Sequence, residues 1–350
     1  MRQITKTLVR EHIRCTAELV GRRSVLLGNI TFPNVVPSRY RGAGHRPAAR
    51  TAVHWRVSAG GEDRGNLHGA RGTRGSRLRF MHRDTLRLPL VAESLRQVLG
   101  SPWRHLEVVD ETGSTNADLV ARAAAGENIG GAVLIAEHQT AGRGRSGRSW
   151  SDVPRAQITM SVGIDVNDVP SETWGWLPLA AGVAVVDAVA DVSGVRAGLK
   201  WPNDVLAGGN GKLAGILAEV AAPAPVIVVG IGLNVSLRTD ELPDPGATSL
   251  VLLGVQEPDR NELVGALLRE LGRRIGSWRA AAGSDPTLSV DYAARSLTIG
   301  SRVRALLPGG DEIAGDALSV DEQGRLRIAV ADRTVAVSAG DIVHLRPLEP

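Results

Sequence analysis

Short apolar runs alternate with longer amphipathic stretches from residue 106 onward, the pattern of a chain that mixes strands and helices. Residues 106–109 and 132–136 read as strands, and 157–164 as another with period-two alternation. Between the first two, Thr115 with Asp118 three residues later has the form of a capping box, which predicts a helix through about residue 125 and sets Ser114, Thr115 and Asn116 at its N-terminus. Residues 174–189 are apolar on nearly every face and predict a helix packed inside the domain. Asn210-Gly211 is a two-residue hairpin signal joining 204–207 to 212–219, and 225–235 supplies a further strand. Asp259 and Glu262 form a second capping-box pattern, behind which Val264, Leu267, Leu268, Leu271, Ile275 and Trp278 recur at helical spacing to about residue 280. From Ser301 the runs shorten and alternate (303–307, 317–320, 326–330, 334–337) between turn residues, which spells a small β-barrel.

The first 80 residues differ. They offer one short helix near residues 5–19 and then a Gly/Arg/Pro-rich passage without period, too poor in apolar surface to offset its ordering entropy, so disorder is expected. A nucleic-acid-binding arm is the functional alternative, and a true start at Met81 is the reading we favour. The net charge of +4 conceals this division. Residues 1–80 hold 16 Lys+Arg against 4 Asp+Glu, whereas the remainder holds 25 against 33. The basic balance therefore says little about the ligand of the folded part. A lone cysteine, Cys15, excludes an internal disulfide and fits a reducing cytosol. No uninterrupted apolar run reaches the ~18 residues of a membrane span, and Arg10, Glu11, His12, Arg14 and Glu18 break any signal-peptide core, so a cytoplasmic protein with no membrane partner is expected.

The chemistry concentrates in residues 136–150, AEHQTAGRGRSGRSW. Glycines at 142, 144 and 147 let backbone N–H groups approach a ligand, while Arg143, Arg145 and Arg148 can form charge-assisted bonds to phosphate or carboxylate oxygens. Around this loop stand Ser114-Thr115-Asn116 upstream, and downstream Lys200-Trp201-Pro202-Asn203-Asp204, the 211–217 run GKLAGIL and Gly230-Ile231-Gly232-Leu233-Asn234. A Gly-x-Gly after an apolar strand also occurs in dinucleotide folds, but the third glycine and the following helix are missing.

In this order and spacing the segments resemble the biotin protein ligases, over roughly residues 84–345. The resemblance implies an α+β fold: a class II synthetase-like mixed sheet with flanking helices, followed by an SH3-like β-barrel. It divides the chain into a basic extension (1–80), a catalytic biotin- and ATP-binding domain (84–285) and a C-terminal barrel (296–350). It implies activation of biotin by ATP, entering with Mg²⁺, to biotinyl-5′-adenylate and pyrophosphate, then transfer to a lysine of a biotin carboxyl carrier domain of a carboxylase. Ser114, Thr115, Asn116, Gln139, Arg143, Gly144, Arg145 and Lys200 would bind biotin. Arg143, Arg145, Arg148, Trp150, Lys200 and Asn234 would meet ATP or the adenylate. Lys200 is the first choice as catalytic cation, with Arg145 beside it and Lys212 second; after residue 81 the chain has only these two lysines. Asp204 reads as a loop-fixing residue ahead of a magnesium ligand, and no dedicated metal site is expected. The family's loop tends to order over its ligand, shielding the mixed anhydride. Some relatives carry a winged helix-turn-helix, but that module needs three helical patterns and a hairpin, so a monofunctional ligase without DNA as partner is expected. A lipoate or octanoate transferase is the rival, and it lacks support because no Arg-Arg-x-Ser-Gly-Gly-Gly stretch is present.

Overall fold

The computed structural model describes residues 30–31, 87–223, 225–307, 310–342 and 344–347. The expectations of disorder, of a helix near 5–19, of a nucleic-acid arm and of a start at Met81 lie outside the described residues. Of the first 80, only β1 (Ile30–Thr31) is described, running parallel to Ala218 and Glu219.

Strands β2 (His105–Val109), β3 (Ala132–Ala136), β4 (Gln157–Asp165), β5 (Ala197–Lys200), β6 (Asp204–Ala207), β7 (Gly211–Ala221) and β8 (Val226–Asn234) build one mixed sheet in the order β2-β3-β4-β8-β7-β6-β5. β2 and β3 pair in parallel, and every later neighbour along that path is antiparallel. Because successive side chains point to opposite sides of a strand, the sheet has two unlike faces. Ile158, Met160 and Val162 of β4 and Ala214, Ile216 and Ala218 of β7 join the main core with α3 (Leu177–Ser193) and α4 (Arg260–Ala280). The opposite face holds α2 (Thr115–Ala124), which buries Leu119 and Ala123 against Leu134, Val226 and Val228.

Three local departures from expectation have physical causes. The core helix begins at Leu177, with Pro178 in its first turn where a missing N–H breaks no helical bond, and a 3-10 turn over Ser171–Trp176 precedes it. By length and composition residues 171–193 would also suit a membrane span even though no uninterrupted apolar run within them is that long; here they are core, with 78% of their apolar 18-residue window buried. The β6–β7 turn is longer than a two-residue hairpin: Ala207 pairs with Gly211, leaving Gly208, Gly209 and Asn210 in the left-handed region at φ 59, 79 and 87°. Finally, three elements lie outside the expectation: α1 (Ala92–Gln97) and β13 (His344–Pro347), too short to show a period, and α5 (Pro286–Arg295), whose Asp285 cap and Pro286 were a usable signal.

The C-terminal unit is a five-stranded antiparallel sheet of β9 (Arg302–Leu306), β10 (Glu312–Val320), β11 (Leu326–Val330), β12 (Arg333–Val337) and β13, in the order β12-β11-β10-β9-β13. Its β10–β11 turn docks on two indoles. Trp176 Nε1 donates to the carbonyls of Asp321 and Glu322 at 3.0 and 3.1 Å, and Trp201 Nε1 donates to that of Gly324 at 3.3 Å. A Cβ on Gly324 would lie 2.7 Å from the Gly175 carbonyl, so the two backbones touch only because both residues lack one.

Candidate functional site

A cavity of about 400 Å³ opens where the N-terminus of α2 meets the arginine loop over β4, β7 and β8. Its floor is set by side-chain parity. Gly215 and Leu217 of β7 lie opposite Gly232 and Gly230 of β8, which in turn face Thr159 and Ser161 of β4. At Gly232 and Gly215 the space left by the missing Cβ is filled by the protein itself. A Cβ on Gly232 would stand 2.5 Å from Trp150 Cζ2, and one on Gly215 would stand 2.9 Å from Cζ3 of the same ring. Trp150 thus lies flat across two adjacent strands, with Lys212 Nζ 5.7 Å from its centroid.

At one end stands a network of hydrogen-bonded polar side chains. The helix cap is Ser114, one residue earlier than the capping-box reading, with its hydroxyl accepting from Ala117 N at 3.5 Å. Asp118 accepts from Thr112 Oγ1 at 2.5 Å rather than closing a box on Thr115. That leaves the Thr115 N–H for Gln139 Oε1, 2.9 Å away, with its hydroxyl 3.1 Å from the same oxygen and 2.6 Å from Ser161 Oγ. Ser161 Oγ donates to Asn116 Oδ1 at 2.6 Å, and Asn116 Nδ2 donates to Leu217 O and Glu219 Oε2 at 3.2 and 2.9 Å. Ser114, Thr115, Asn116, Gln139, Ser161 and Glu219 are buried, and each hydrogen bond among them offsets a desolvation cost.

The arginine loop forms the other end as a tight hairpin. Gly144 N donates to Arg148 O at 2.7 Å and Trp150 N to Gly142 O at 2.8 Å, around Ser146 and Gly147 at φ 54 and 73°. Repulsion among its guanidiniums is relieved by turning them onto separate partners. Arg143 pairs with buried Glu219 at 2.8 Å. Arg145 Nη1 donates to Asn203 Oδ1 at 3.2 Å, and its Nη2 reaches into the C-terminal unit to the carbonyls of Ala339 at 2.5 Å and Ile342 at 3.4 Å. Burial, and secondarily Arg148, bring the Arg145 pKa down to about 10 against the opposing pull of Asp204, so it stays cationic at neutral pH. Behind the loop Asp152 accepts from Gln139 N at 2.5 Å, and burial raises its carboxyl to about 6.

Ser114, Thr115, Asn116, Gln139, Arg143, Gly144, Arg145, Arg148, Trp150 and Asn234 all line the cavity. Lys200 does not. It closes β5, the far edge strand of the sheet, opposite Asp204, whereas Lys212 opens β7 beside β8 and projects onto the site. Lys212 Nζ pairs with Asp204 Oδ1 at 2.7 Å, so Asp204 fixes the lysine. Asn234 borders the cavity with its amide already committed, accepting from Gln157 Nε2 at 2.8 Å and donating to Lys212 O and Thr248 O at 3.3 and 2.9 Å. Among the described residues no group of three or more His, Cys, Asp or Glu could hold a metal ion. Sequence reasoning missed Ser161, Asn203 and Glu219. For Glu219 a signal existed: it is the one charged residue, 4% exposed, in the otherwise apolar run 213–221 of β7.

The cavity thus has hydrogen-bonding side chains at one end and an ammonium with guanidiniums at the other. Residues 110–236 match the Biotin/lipoate A/B protein ligase family, and 298–345 match the Biotin protein ligase C terminal domain. The chain is 61% identical over 270 residues to the biotin--[acetyl-CoA-carboxylase] ligase of Mycobacterium tuberculosis, covering 75% of this chain and 99% of that protein. It is 31% identical over 271 residues to the bifunctional ligase/repressor BirA of Escherichia coli, covering 76% and 81%. Among solved structures, the biotin protein ligase of Aquifex aeolicus in complex with biotin and ATP superposes with a TM-score of 0.60 at 26% identity, over 70% of this chain and all of that one. The chain belongs to the biotin protein ligase family.

Proposed function

We propose that the protein is an ATP-dependent biotin protein ligase that forms biotinyl-5′-adenylate and passes the biotinyl group to a carrier lysine. The observation that carries this is the single cavity that joins Lys212 and the arginine loop to the Thr115–Gln139 network. A carboxylate oxygen of biotin attacks the α-phosphorus of ATP, and the bond to pyrophosphate breaks. Both reactants are anions, so the protein's contribution is neutralisation and alignment. Lys212, fixed by Asp204 and the Trp150 ring, supplies the cation in place of Lys200. Arg143 and Arg148 face the same anions, and Arg145 acts from behind by holding the loop. Magnesium enters with ATP as part of that substrate. The hairpin loop excludes water from the mixed anhydride. A neutral lysine amine of a biotin carboxyl carrier domain then attacks the carbonyl, AMP leaves, and the amine loses its proton. We assign residues 84–285 to this chemistry, 296–350 to a supporting unit, and a cytoplasmic location to the whole.

The test is mass spectrometry of a carrier domain incubated with the protein, biotin and MgATP, expecting one added biotinyl group. Lys212→Met should lower the rate by at least 100-fold, an order set by losing one charge-stabilising group, while Lys200→Met stays within about threefold. The reverse ranking refutes the assignment.

A further inference from the structure

The cavities, the ion-pair clusters and the exposed surfaces offer little that is independent of the site, but the polar network beneath it contains a charged residue with no part in the chemistry above. Glu219 is 4% exposed and does not line the cavity. Its two oxygens are divided: Oε2 accepts from Asn116 Nδ2 at 2.9 Å, and Oε1 faces Arg143 Nη2 at 2.8 Å. A carboxylate paired with a guanidinium only accepts hydrogen bonds. The Leu217 carbonyl, the other group within reach of Asn116 Nδ2, also only accepts. Two acceptors on one side of the Asn116 amide leave a single orientation for it, with NH₂ toward Glu219 and Oδ1 toward Ser161.

That orientation propagates. Asn116 Oδ1 has no proton, so Ser161 Oγ must donate across their 2.6 Å contact. With its one proton committed, Ser161 can only accept from Thr115 Oγ1, also 2.6 Å away. The Thr115 hydroxyl then has no proton left for the cavity and presents lone pairs to it. The other acceptor within reach of that hydroxyl, Gln139 Oε1, is farther at 3.1 Å and already accepts the Thr115 N–H at 2.9 Å, and a proton given to it would equally be lost to the cavity. We propose that Glu219 is a positioning residue that sets the direction of the Glu219–Asn116–Ser161–Thr115 chain, making the hydroxyl at the cavity an acceptor matched to an N–H of a cyclic urea. This rests on the biotin-ligase reading and adds to it the group that selects the polarity of the ligand's head. Glutamine at 219 would have to aim its own NH₂ at Asn116 or at Arg143, a donor against a donor in either case.

The experiment measures steady-state KM for biotin and for ATP, kcat and the melting temperature in Glu219→Gln, Ser161→Ala and the double variant. Pyrophosphate release by the unaltered chain is read first, and its absence would count against the functional reading alone. If Glu219 acts through the chain, Glu219→Gln raises the biotin KM by about tenfold, the worth of one hydrogen bond, with the ATP KM within about twofold. Ser161→Ala interrupts the same chain, so the double variant should raise the biotin KM by far less than the product of the single effects. An unchanged biotin KM in a folded Glu219→Gln protein overturns the proposal. So does multiplication of the two effects, and so does a parallel rise in both KM values, which a general loosening of the fold would produce.

Discussion

Replacing Arg145 by alanine sets two opposed energies against each other. The buried guanidinium makes charged hydrogen bonds to Asn203 Oδ1, Ala339 O and Ile342 O, of which those at 3.2 and 2.5 Å are well formed. At about 1.5–3 kcal/mol each, the two contribute roughly 3–6 kcal/mol. Against this, burial and the neighbouring Arg148 disfavour the charge, as the pKa of about 10 records. Relative to a free guanidinium, that is roughly 3 kcal/mol. The difference predicts a net loss of about 0–3 kcal/mol, small for a residue only 8% exposed. The larger effect should fall on the loop, whose link to the C-terminal unit is gone. Urea unfolding gives the first quantity. The second is the time for which enzyme-bound biotinyl-adenylate survives gel filtration, which should fall at least tenfold. Arg145→Lys keeps the charge without the fork and should recover retention only in part. A loss above about 4 kcal/mol would show that burial was overcounted. Undiminished retention in Arg145→Ala would refute the coupling of loop to C-terminal unit.

Gly232→Ala inserts a methyl 2.5 Å from Trp150 Cζ2 and 2.9 Å from Nε1, so the ring must lift, at about 1–3 kcal/mol by urea unfolding. In a Trp150→Ala background the same substitution should cost almost nothing, and an equal cost there would mean the ring is not the obstacle. Asp152 has its folded pKa raised to about 6, above the unfolded value, so the folded state holds a proton that the unfolded chain has released between those limits. Its contribution is therefore full at low pH and lost as pH rises through about 6. Asp152→Asn removes that dependence. Its stability relative to the parent should improve by on the order of 1–2 kcal/mol between pH 4 and 7, after discounting for solvent screening, and a gap that stays constant with pH would contradict the burial argument.

What sequence could reveal depended on whether the signal was local. The strands at 132–136 and 157–164, the α4 cap at Asp259 and the arginine loop each carry their cause within a dozen residues. Choosing between the lysines was different in kind. Lys200 and Lys212 both sit in distinctive motifs, and only the strand order, which sends β5 to the edge and β7 to the interior beside β8, gives them different places relative to the cavity. Likewise the partner of Arg145 lies 194 residues away and is a backbone carbonyl, which no side-chain pattern records. The capping box at Thr115 failed by one position because Ser114 and Thr115 are both competent caps, and the competition was settled by Gln139, 24 residues on.

The contacts that fasten the C-terminal sheet are chemically one-sided. Trp176, Trp201 and Arg145 supply the donors, while Asp321, Glu322, Gly324, Ala339 and Ile342 answer with main-chain oxygens. Every residue type offers such an oxygen, so evolutionary drift on the two sides of this joint should be unequal. Across homologues the receiving side can change its letters without loosening, apart from Gly324, which the Gly175 contact holds, whereas the two indoles and the guanidinium have no ready substitutes. A chimera that grafts a foreign sheet of the same turn geometry onto this chain should hold, and one that alters the tryptophans should come apart.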